Sequence, residues 1–340
     1  MKSIKLICEK PYGIVVAPEA RRYVQYTLKG VEKVLIVSDE TVFELFGNGL
    51  KKSVKGCGAE VYTFIFPAGE NGKSKHVLDK LLILMAELGI KNTDCLIALG
   101  GRSVASLTGF AAAVYKGGVP YMFVPTTLMG MVSPMIDGKA SVDLLGKADV
   151  LKLKYYPIAA FCDTDYLKTL PAQYMQNGYA EIIRRAMVVD KNLLTKMEEG
   201  QVSPEELIYS ALEAENTFRS EGMVEVYLDR RRQGKFALNF SSAAEKVSGL
   251  NLPYGRLIAF GIAQAIDTAM ALGMCDSLLE EKILKLFKKY GIKWDIGINK
   301  KDIWKKLSDD GRQDVKLVLP KAIGRCSVTK VAKEKIKEII

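Results

Sequence analysis

The sequence predicts a chain of two parts, an α/β first half and an all-helical second half. Short apolar runs alternate with helical segments up to about residue 165, which is typical of a parallel β-sheet covered by helices. Beyond that point the hydrophobic periodicity is helical, with Pro and Gly between the segments. We therefore predict an α/β nucleotide-binding-like domain over residues 1–165 and a mainly helical, metal- or substrate-binding type of domain over residues 166–340.

Two apolar runs open the predicted sheet. Residues 34–37 precede a polar turn that contains Asp39, and residues 61–66 lead through a loop to Ser74, a suitable helix cap. The helix predicted after Ser74 has one apolar face, formed by Val77, Leu78, Leu81, Leu82, Met85 and Leu88. A carboxylate placed like that of Asp39 either binds the ribose hydroxyls of a dinucleotide or caps the next helix, and the sequence leaves both interpretations open.

A βαβ unit follows and forms the centre of the first half. The apolar run 96–99 ends at Gly100-Gly101, a helical segment covers residues 103–115, and a second apolar run covers residues 121–124. This order predicts a Rossmann-like arrangement, in which free N–H groups at the helix N-terminus attract a phosphate beside the glycine turn. Glycine pairs also occur in turns that bind nothing, because they relieve backbone strain.

The remaining pattern completes the sheet and builds the helical half. Residues 158–162 are the last apolar strand of the first half. Helical periodicity covers residues 172–199, 204–220, 235–248, 255–273 and 277–290. Two β-like runs, 315–319 and 325–328, close the chain. We expect a ligand cleft between the halves, because pockets favour domain interfaces and the carboxyl ends of parallel strands.

The composition is that of an ordinary globular protein, with 49% apolar and 26% charged residues among 340. No run approaches the roughly 18 to 20 consecutive apolar residues that span a bilayer, and the first residues are too short in their apolar part for a signal peptide. Six single cysteines without a CxxC pair indicate neither a disulfide framework nor a thiolate metal site. We expect a cytoplasmic protein with no membrane partner.

The formal net charge of +10 favours anionic partners, and we expect an anionic small molecule or a dinucleotide. The one dense basic cluster, Arg230-Arg231-Arg232, is interpreted as a solvated loop. Because no nucleic-acid-binding motif accompanies it, we do not expect a nucleic-acid partner. His76 is the only histidine and lies at a helix start, so any mechanism that needs two imidazoles is excluded.

The chain contains, in this order, the segments LIALGGRSVASLTGFAAAVYKGG, VPTTLM, IDGKASV, LGKADV and DTDYLKTLP. Together they resemble the 3-dehydroquinate synthase family of sugar-phosphate cyclases, from about Val34 to about Cys326. The resemblance implies a shikimate-pathway reaction in which bound NAD transiently oxidises an acyclic sugar phosphate, phosphate is eliminated and a ring closes. It also implies a homodimer and a divalent metal ion, usually zinc, held by one glutamate and two histidines.

The resemblance assigns roles to the residues that match the family, and it makes NAD the candidate cofactor. The cofactor-binding matches are Asp39, Glu70, Lys73, Gly100, Gly101, Thr126 and Thr127. The catalytic matches are Lys139, Lys147 and Asn239, with Lys235 in place of an arginine of the phosphate site. The match to the metal-binding glutamate is Glu181.

The two histidine positions of the metal site hold Ser242 and Tyr254 in this chain. A serine hydroxyl and a phenol with a pKa of about 10 are poor zinc ligands beside imidazole, and Lys246 and Arg256 add positive charge. We therefore do not expect zinc. Further departures from the family are Arg102 for a glycine, Ser106 and Ser133 for acidic residues, Ala148 for an asparagine, Arg184 for a lysine, and Ser308-Asp309-Asp310 for Asp-Lys-Lys.

Three functional hypotheses follow. The first is a family member with a degraded metal and substrate site, a pseudoenzyme without dehydroquinate synthase activity that has a binding or regulatory role. The second is an active 3-dehydroquinate synthase or related NAD-dependent cyclase, a carbon-oxygen lyase that uses Lys246 or Tyr254 as a general acid instead of zinc. The third is an oxidoreductase similar to the polyol and alcohol dehydrogenases, which also rely on histidine ligands. The joint loss of both imidazoles and several charges favours the first hypothesis.

Overall fold

The structure is a computed structural model, and it describes residues 1–133, 135–189, 191–221, 235–249, 252–308, 314–332 and 335. The chain divides into two compact units, Met1–Leu170 and Pro171–Ile340. A mostly parallel sheet with helices forms the first unit, and the second is mainly helical. The predicted fold class, a Rossmann-like α/β part followed by a helical part, is confirmed.

The first unit is built on β-strands whose side chains are largely buried. Its strands are β1 (Lys2–Leu6), β2 (Tyr12–Ala17), β3 (Lys33–Asp39), β4 (Glu60–Phe66), β5 (Cys95–Gly100), β6 (Tyr121–Pro125), β7 (Lys139–Leu144), β8 (Lys147–Lys154) and β9 (Ala159–Asp163). Within the described residues, seven of them form one sheet in the order β1-β2-β9-β6-β5-β3-β4, parallel except for β1 beside β2. The five apolar runs predicted as strands agree with β3, β4, β5, β6 and β9 to within two residues.

Helices connect these strands. They are α1 (Val24–Thr27), α2 (Glu40–Val42), α3 (Asn48–Lys55), α4 (Lys75–Glu87), α5 (Arg102–Val114) and α6 (Leu128–Val132). Ser74 caps α4 as predicted, since its Oγ accepts a hydrogen bond from the N–H of Val77 at 3.4 Å. Helix α5 approaches the sheet closely because its residues are small: a Cβ at Gly109 would lie 3.2 Å from Cζ of Tyr121. The exposed His76 is a surface residue of α4, as predicted.

The hairpin of β7 and β8 was not predicted from the sequence. Its two-residue turn is Leu145-Gly146, with φ of +52° and +72°, and the side chain of Leu145 is 92% exposed. A leucine is uncommon in the left-handed region, where such a turn usually has Asn or Asp before Gly. Because Leu145 takes that position, the sequence lacks the usual turn signal. The hairpin carries Lys139 and Lys147, two of the residues that the resemblance assigns to catalysis.

The second unit packs helices against a two-stranded ladder. Its elements are α7 (Ala172–Val189), α8 (Lys191–Glu199), α9 (Pro204–Glu221), α10 (Leu238–Ser248), α11 (Tyr254–Ala271), α12 (Ser277–Lys289), α13 (Lys300–Ser308), β10 (Asp314–Ala322) and β11 (Arg325–Ala332). The predicted helix 172–199 is two helices in the structure, α7 and α8. Helix α13 was not predicted, and the other helices and both strands agree with the sequence pattern.

Helices α10 and α11 lie unusually close together. A Cβ at Gly261 of α11 would lie 2.3 Å from Oγ of Ser241 and 2.4 Å from the carbonyl oxygen of Ala237, so only glycine fits there. This contact sets the position of α10, which carries Asn239 and Ser242.

Among the described residues, no helix has the length and the apolar character needed to cross a membrane. All six cysteines lie in described parts of the chain and are free thiols.

Candidate functional site

Gly100 shapes the turn between β5 and α5. Its φ is +156°, and a Cβ there would lie 2.6 Å from Cγ2 of Val104. Gly101 is the N-cap of the 13-residue helix α5 and has no side chain to bind the first N–H groups. These N–H groups and the helix dipole favour an anion at this end of the helix. Arg102, the first helical residue, is exposed.

We expect Gly100→Ala to lower the free energy of unfolding by about 1–3 kcal/mol, because the new Cβ would clash with Val104 at a strained φ. Gly101→Ala is the matched control. Its φ is −85° and its Cβ would meet Cγ2 of Thr127 at 3.8 Å, an ordinary contact, so we expect a change within about 0.5 kcal/mol. Denaturant unfolding measures both variants, and equal losses would contradict this account of the turn.

Asp39 ends β3 and caps the short helix α2. Its Oδ1 accepts a hydrogen bond from the N–H of Val42 at 2.9 Å. Of the two interpretations that the sequence left open, the structure therefore shows the helix cap. The contact occupies one of the two carboxylate oxygens, so it does not preclude binding of a ribose by the other.

Thr126 and Thr127 follow β6, the strand beside β5 in the sheet. The N–H of Thr126 donates to the carbonyl oxygen of Gly100 at 3.1 Å, which joins the two turns. Oγ1 of Thr127 accepts from the N–H of Gly130 at 3.1 Å and caps α6. Because β3, β5 and β6 are adjacent and parallel, Asp39, Gly100 and Thr126 lie at the same edge of the sheet.

Lys73 and Lys139 meet at one carboxylate, that of Asp149. Nζ of Lys73 lies 2.5 Å from Oδ1 of Asp149 and 3.2 Å from Oδ1 of Asp143, and Nζ of Lys139 binds Oδ2 of Asp149. Oγ of Ser141 donates to Oδ1 of Asp149 at 2.7 Å. Partial burial raises the pKa of Asp149, but the hydrogen bonds from Lys139, Lys73 and Ser141 outweigh it and hold that pKa below its ordinary value. One predicted cofactor residue and one predicted catalytic residue thus share a partner.

Lys147 and Glu70 are the remaining predicted residues of the first unit. Lys147 is exposed at the start of β8. Glu70 begins a 3-10 turn that ends at Lys73, and its side chain lies outside the described structure. Ser106, which replaces an acidic residue of the family, is buried: its Oγ donates to the carbonyl oxygen of Ser141 at 3.0 Å and accepts from its N–H at 2.8 Å. Ser106 therefore joins α5 to β7.

Glu181 lies in α7 and is only 2% exposed. The guanidinium of Arg184 binds both of its oxygens, Nε to Oε2 and Nη2 to Oε1, each at 2.8 Å. Nε of Arg185 donates to Oε1 at 2.9 Å. The spacings of three and four residues place both arginines on the helix face of Glu181. Both oxygens of the carboxylate that matches the family's metal ligand are therefore held by guanidinium groups.

The ion pairs continue into α9. Arg185 also binds Oε2 of Glu215, and Nε of Arg219 donates to Oε1 of Glu215 at 2.6 Å. We call Glu181, Arg184, Arg185, Glu215 and Arg219 the Glu181 network. Burial lowers the pKa of Arg184, but the charge of Glu181 and the hydrogen bonds to it raise that pKa by more, so the guanidinium stays charged.

The remaining predicted residues of the second unit lie on α10 and α11. Asn239, Ser242 and Lys246 follow one another at helical spacing on one face of α10; Ser242 and Lys246 are exposed and Asn239 is partly exposed. Lys235, in the turn before α10, is also exposed. Tyr254 is the first residue of α11 and is partly exposed. In the part of the chain that the structure describes, no three His, Cys, Asp or Glu side chains form a group that could hold a metal ion.

Several residues of these clusters were not identified from the sequence. They are Ser141, Asp143, Asp149, Arg185, Glu215 and Arg219. The arginines three and four residues after Glu181, and Arg219 four residues after Glu215, are a sequence signal for local ion pairs. No sequence pattern indicates that α7 and α9 form ion pairs with each other, or that Asp149 pairs with two lysines. The predicted basic loop Arg230-Arg231-Arg232 and the pair Asp309-Asp310 lie outside the described residues.

Comparison with known proteins bears on both units. The model for the 3-dehydroquinate synthase N-terminal region matches residues 63–177, and the model for the C-terminal region of the same enzyme matches residues 178–313. A 3-dehydroquinate synthase of Helicobacter pylori is 30% identical over 321 residues, which covers 91% of each chain.

Two solved structures have the same fold over nearly the whole chain. One is 2-deoxy-scyllo-inosose synthase complexed with carbaglucose-6-phosphate, NAD+ and Co2+, with a TM-score of 0.87 and 19% identity over 99% of both chains. The other is ValA, a 2-epi-5-epi-valiolone synthase from Streptomyces hygroscopicus with NAD+ and Zn2+ bound, with a TM-score of 0.85 and 23% identity over 99% of this chain and 97% of that one. At these identities the likeness establishes the fold alone.

Proposed function

The chain belongs to the 3-dehydroquinate synthase family, and we propose that it is a member without a catalytic zinc ion and without dehydroquinate synthase activity. In this proposal the protein binds a dinucleotide or another anionic small molecule and has a binding or regulatory role. The observation that carries the proposal is the Glu181 network, in which the carboxylate that matches the family's metal ligand is buried and holds two guanidinium groups.

The residues at the metal position do not fit a zinc ion. To bind Glu181, the ion would have to displace Arg184 and Arg185 and would leave two buried cations beside a dication. The other two positions offer a neutral hydroxyl, that of Ser242, and the phenol of Tyr254, both weak ligands compared with imidazole. We infer that Arg184 supplies Glu181 with the positive charge that a metal ion supplies elsewhere in the family.

The residues at the carboxyl edge of the sheet do fit a dinucleotide. The Gly100 turn, the N-cap at Gly101 and the free oxygen of Asp39 provide the N–H groups, the space and the acceptor that such a ligand needs. We propose that these three residues, with Thr126 and Thr127, hold NAD, which would supply a hydride acceptor when bound. NAD+ is present in the solved structures of 2-deoxy-scyllo-inosose synthase and ValA, which supports this choice.

We expect NAD to bind with a dissociation constant in the roughly micromolar range, and added zinc to leave that constant unchanged. Calorimetric titration of metal-analysed protein with NAD, with and without zinc, measures both. Arg102→Gly should bind NAD more tightly, because it removes a bulky side chain from the turn. No NAD binding by either protein would overturn the dinucleotide part of the proposal, and stoichiometric zinc in the purified protein would overturn the zinc part.

A triple variant serves as the positive control for the zinc measurement. The triple variant Arg184→Lys, Ser242→His, Tyr254→His restores the residue types that the resemblance gives for these three positions. We expect it to retain zinc through dialysis where the wild type does not, because imidazoles replace the poor ligands and the bidentate arginine is gone.

A further inference from the structure

Asp149 is held in an unusual way for a surface carboxylate. Its φ is +55°, in the left-handed region that residues with a side chain seldom adopt. Its backbone N–H donates to Oδ1 of Asp143 at 2.7 Å, and its own carboxylate accepts from Lys73, Lys139 and Ser141. Main chain and side chain are thus both fixed in the position that brings the two lysines together.

The charges of this group are matched among the described residues. Lys73 and Lys139 provide two ammonium groups, and Asp143 and Asp149 provide two carboxylates. The side chains of Lys73 and Asp149 are 18% and 32% exposed, so water screens their contact less than it would on an open surface, whereas Lys139 is exposed. An incoming anion therefore meets lysines that already have a partner.

These lysines are the ones for which an anionic ligand is expected. The resemblance to the family assigns Lys73 to cofactor binding and Lys139 to catalysis, and the family's cofactor and substrate both carry phosphate. Asp149 lies in the segment LGKADV, but the resemblance assigns no role to it. Its carboxylate oxygens occupy the positions on the two ammonium groups that phosphate oxygens would take.

We propose that Asp149 is an internal anion that competes with the phosphate groups of a ligand for Lys73 and Lys139, and so determines how strongly the first unit attracts negative charge. The inference rests on the proposed function, since it concerns the anionic ligand of the same unit. A phosphate-bearing ligand that binds at these lysines displaces the Asp149 carboxylate, whereas an uncharged ligand leaves the group intact.

The test compares pyrophosphate binding by calorimetry for the wild type, Asp149→Asn and Asp149→Gly. Both variants remove the charge, and glycine also suits the positive φ, so the second variant keeps the test valid if the first folds poorly. We expect about 10-fold tighter binding in both, because both ammonium groups lose the Asp149 carboxylate and only Lys73 keeps another one, that of Asp143. Asp79→Asn is the control: Asp79 pairs with the exposed Lys75 on α4 at 2.6 Å, and its loss changes the net charge equally. We expect that control to stay within about 2-fold of the wild type.

Two further measurements test whether the gain in pyrophosphate affinity depends on Lys73 and Lys139. Adding Lys139→Met to Asp149→Asn should remove the gain in pyrophosphate affinity. Acetylation by acetic anhydride, mapped by mass spectrometry, should proceed faster at Lys73 and Lys139 in Asp149→Asn than in the wild type. Unchanged or weaker pyrophosphate binding in folded Asp149→Asn and Asp149→Gly would overturn the inference.

Different experimental outcomes would overturn the inference and the proposed function. Binding of NAD by the wild type with no gain in the Asp149 variants would overturn the inference and leave the proposed function in place. A gain in the Asp149 variants without NAD binding by the wild type would overturn the dinucleotide proposal and support the role of Asp149.

Discussion

Glu181→Ala is expected to lower the free energy of unfolding by about 3–5 kcal/mol, because it leaves Arg184 and Arg185 buried without their shared carboxylate. Chemical denaturation in zinc-free buffer measures the loss. Glu213→Ala is the matched control, since Glu213 is an exposed glutamate on α9, and its removal should change stability by less than about 0.5 kcal/mol.

The stability of Glu181→Ala also distinguishes a structural carboxylate from a vacant metal ligand. If Glu181 were a ligand waiting for zinc, its removal from metal-free protein would destabilise little, and zinc would raise the melting temperature of the wild type. The double variant Glu181→Leu, Arg184→Leu should recover part of the stability lost in Glu181→Ala, because it removes a buried charge together with its partner. A loss below about 1 kcal/mol in Glu181→Ala would contradict the network as described.

Turnover of the family's acyclic heptulosonate phosphate is expected to be absent in the presence of NAD, and added zinc is not expected to produce it. A Lewis acid that stabilises charge by several kcal/mol corresponds to a rate difference of about 10³-fold or more. In the Glu181 network, guanidinium groups hold both carboxylate oxygens that such an ion would need. Release of inorganic phosphate from the substrate, followed with and without zinc, measures the rate.

The second hypothesis, an active cyclase with a zinc-free site, makes the opposite prediction. Phosphate release at an ordinary enzyme rate that Lys246→Met or Tyr254→Phe reduces would support that hypothesis and overturn ours. Release at such a rate that Glu181→Ala abolishes while the variant remains folded would assign Glu181 to catalysis. The Glu213→Ala protein serves as the control for both measurements.

Much of the first unit was predictable because buried parallel strands appear as continuous apolar runs. The runs at residues 34–37 and 96–99 needed no further information to be recognised as strands, and Gly100 marked the turn after the second one. The hairpin of β7 and β8 was not predicted because neither strand is a continuous apolar run and Leu145 occupies a turn position that favours Asn or Asp. Consequently Asp149, which lies on that hairpin, was not identified.

Within the second unit the helices were predictable and the site was not. Periodicity indicated the helices, but it could not separate α7 from α8, since both continue one apolar pattern. Only the resemblance to the family indicated that Glu181 occupies the position of its metal-binding glutamate. Its true partners could be found only in part, because Arg184 and Arg185 are close in the chain whereas Glu215 belongs to another helix.

The sequence by itself determined the division into an α/β half and a helical half and excluded a metal site with two imidazoles, because periodicity and a single histidine are properties of the chain alone. Only the tertiary structure decided which charges meet. Lys73 and Asp149 are 76 residues apart, and Arg185 and Glu215 are 30 apart. Such pairs form when folding brings side chains within hydrogen-bond distance and shields them from water, and no local pattern of residue types specifies that encounter.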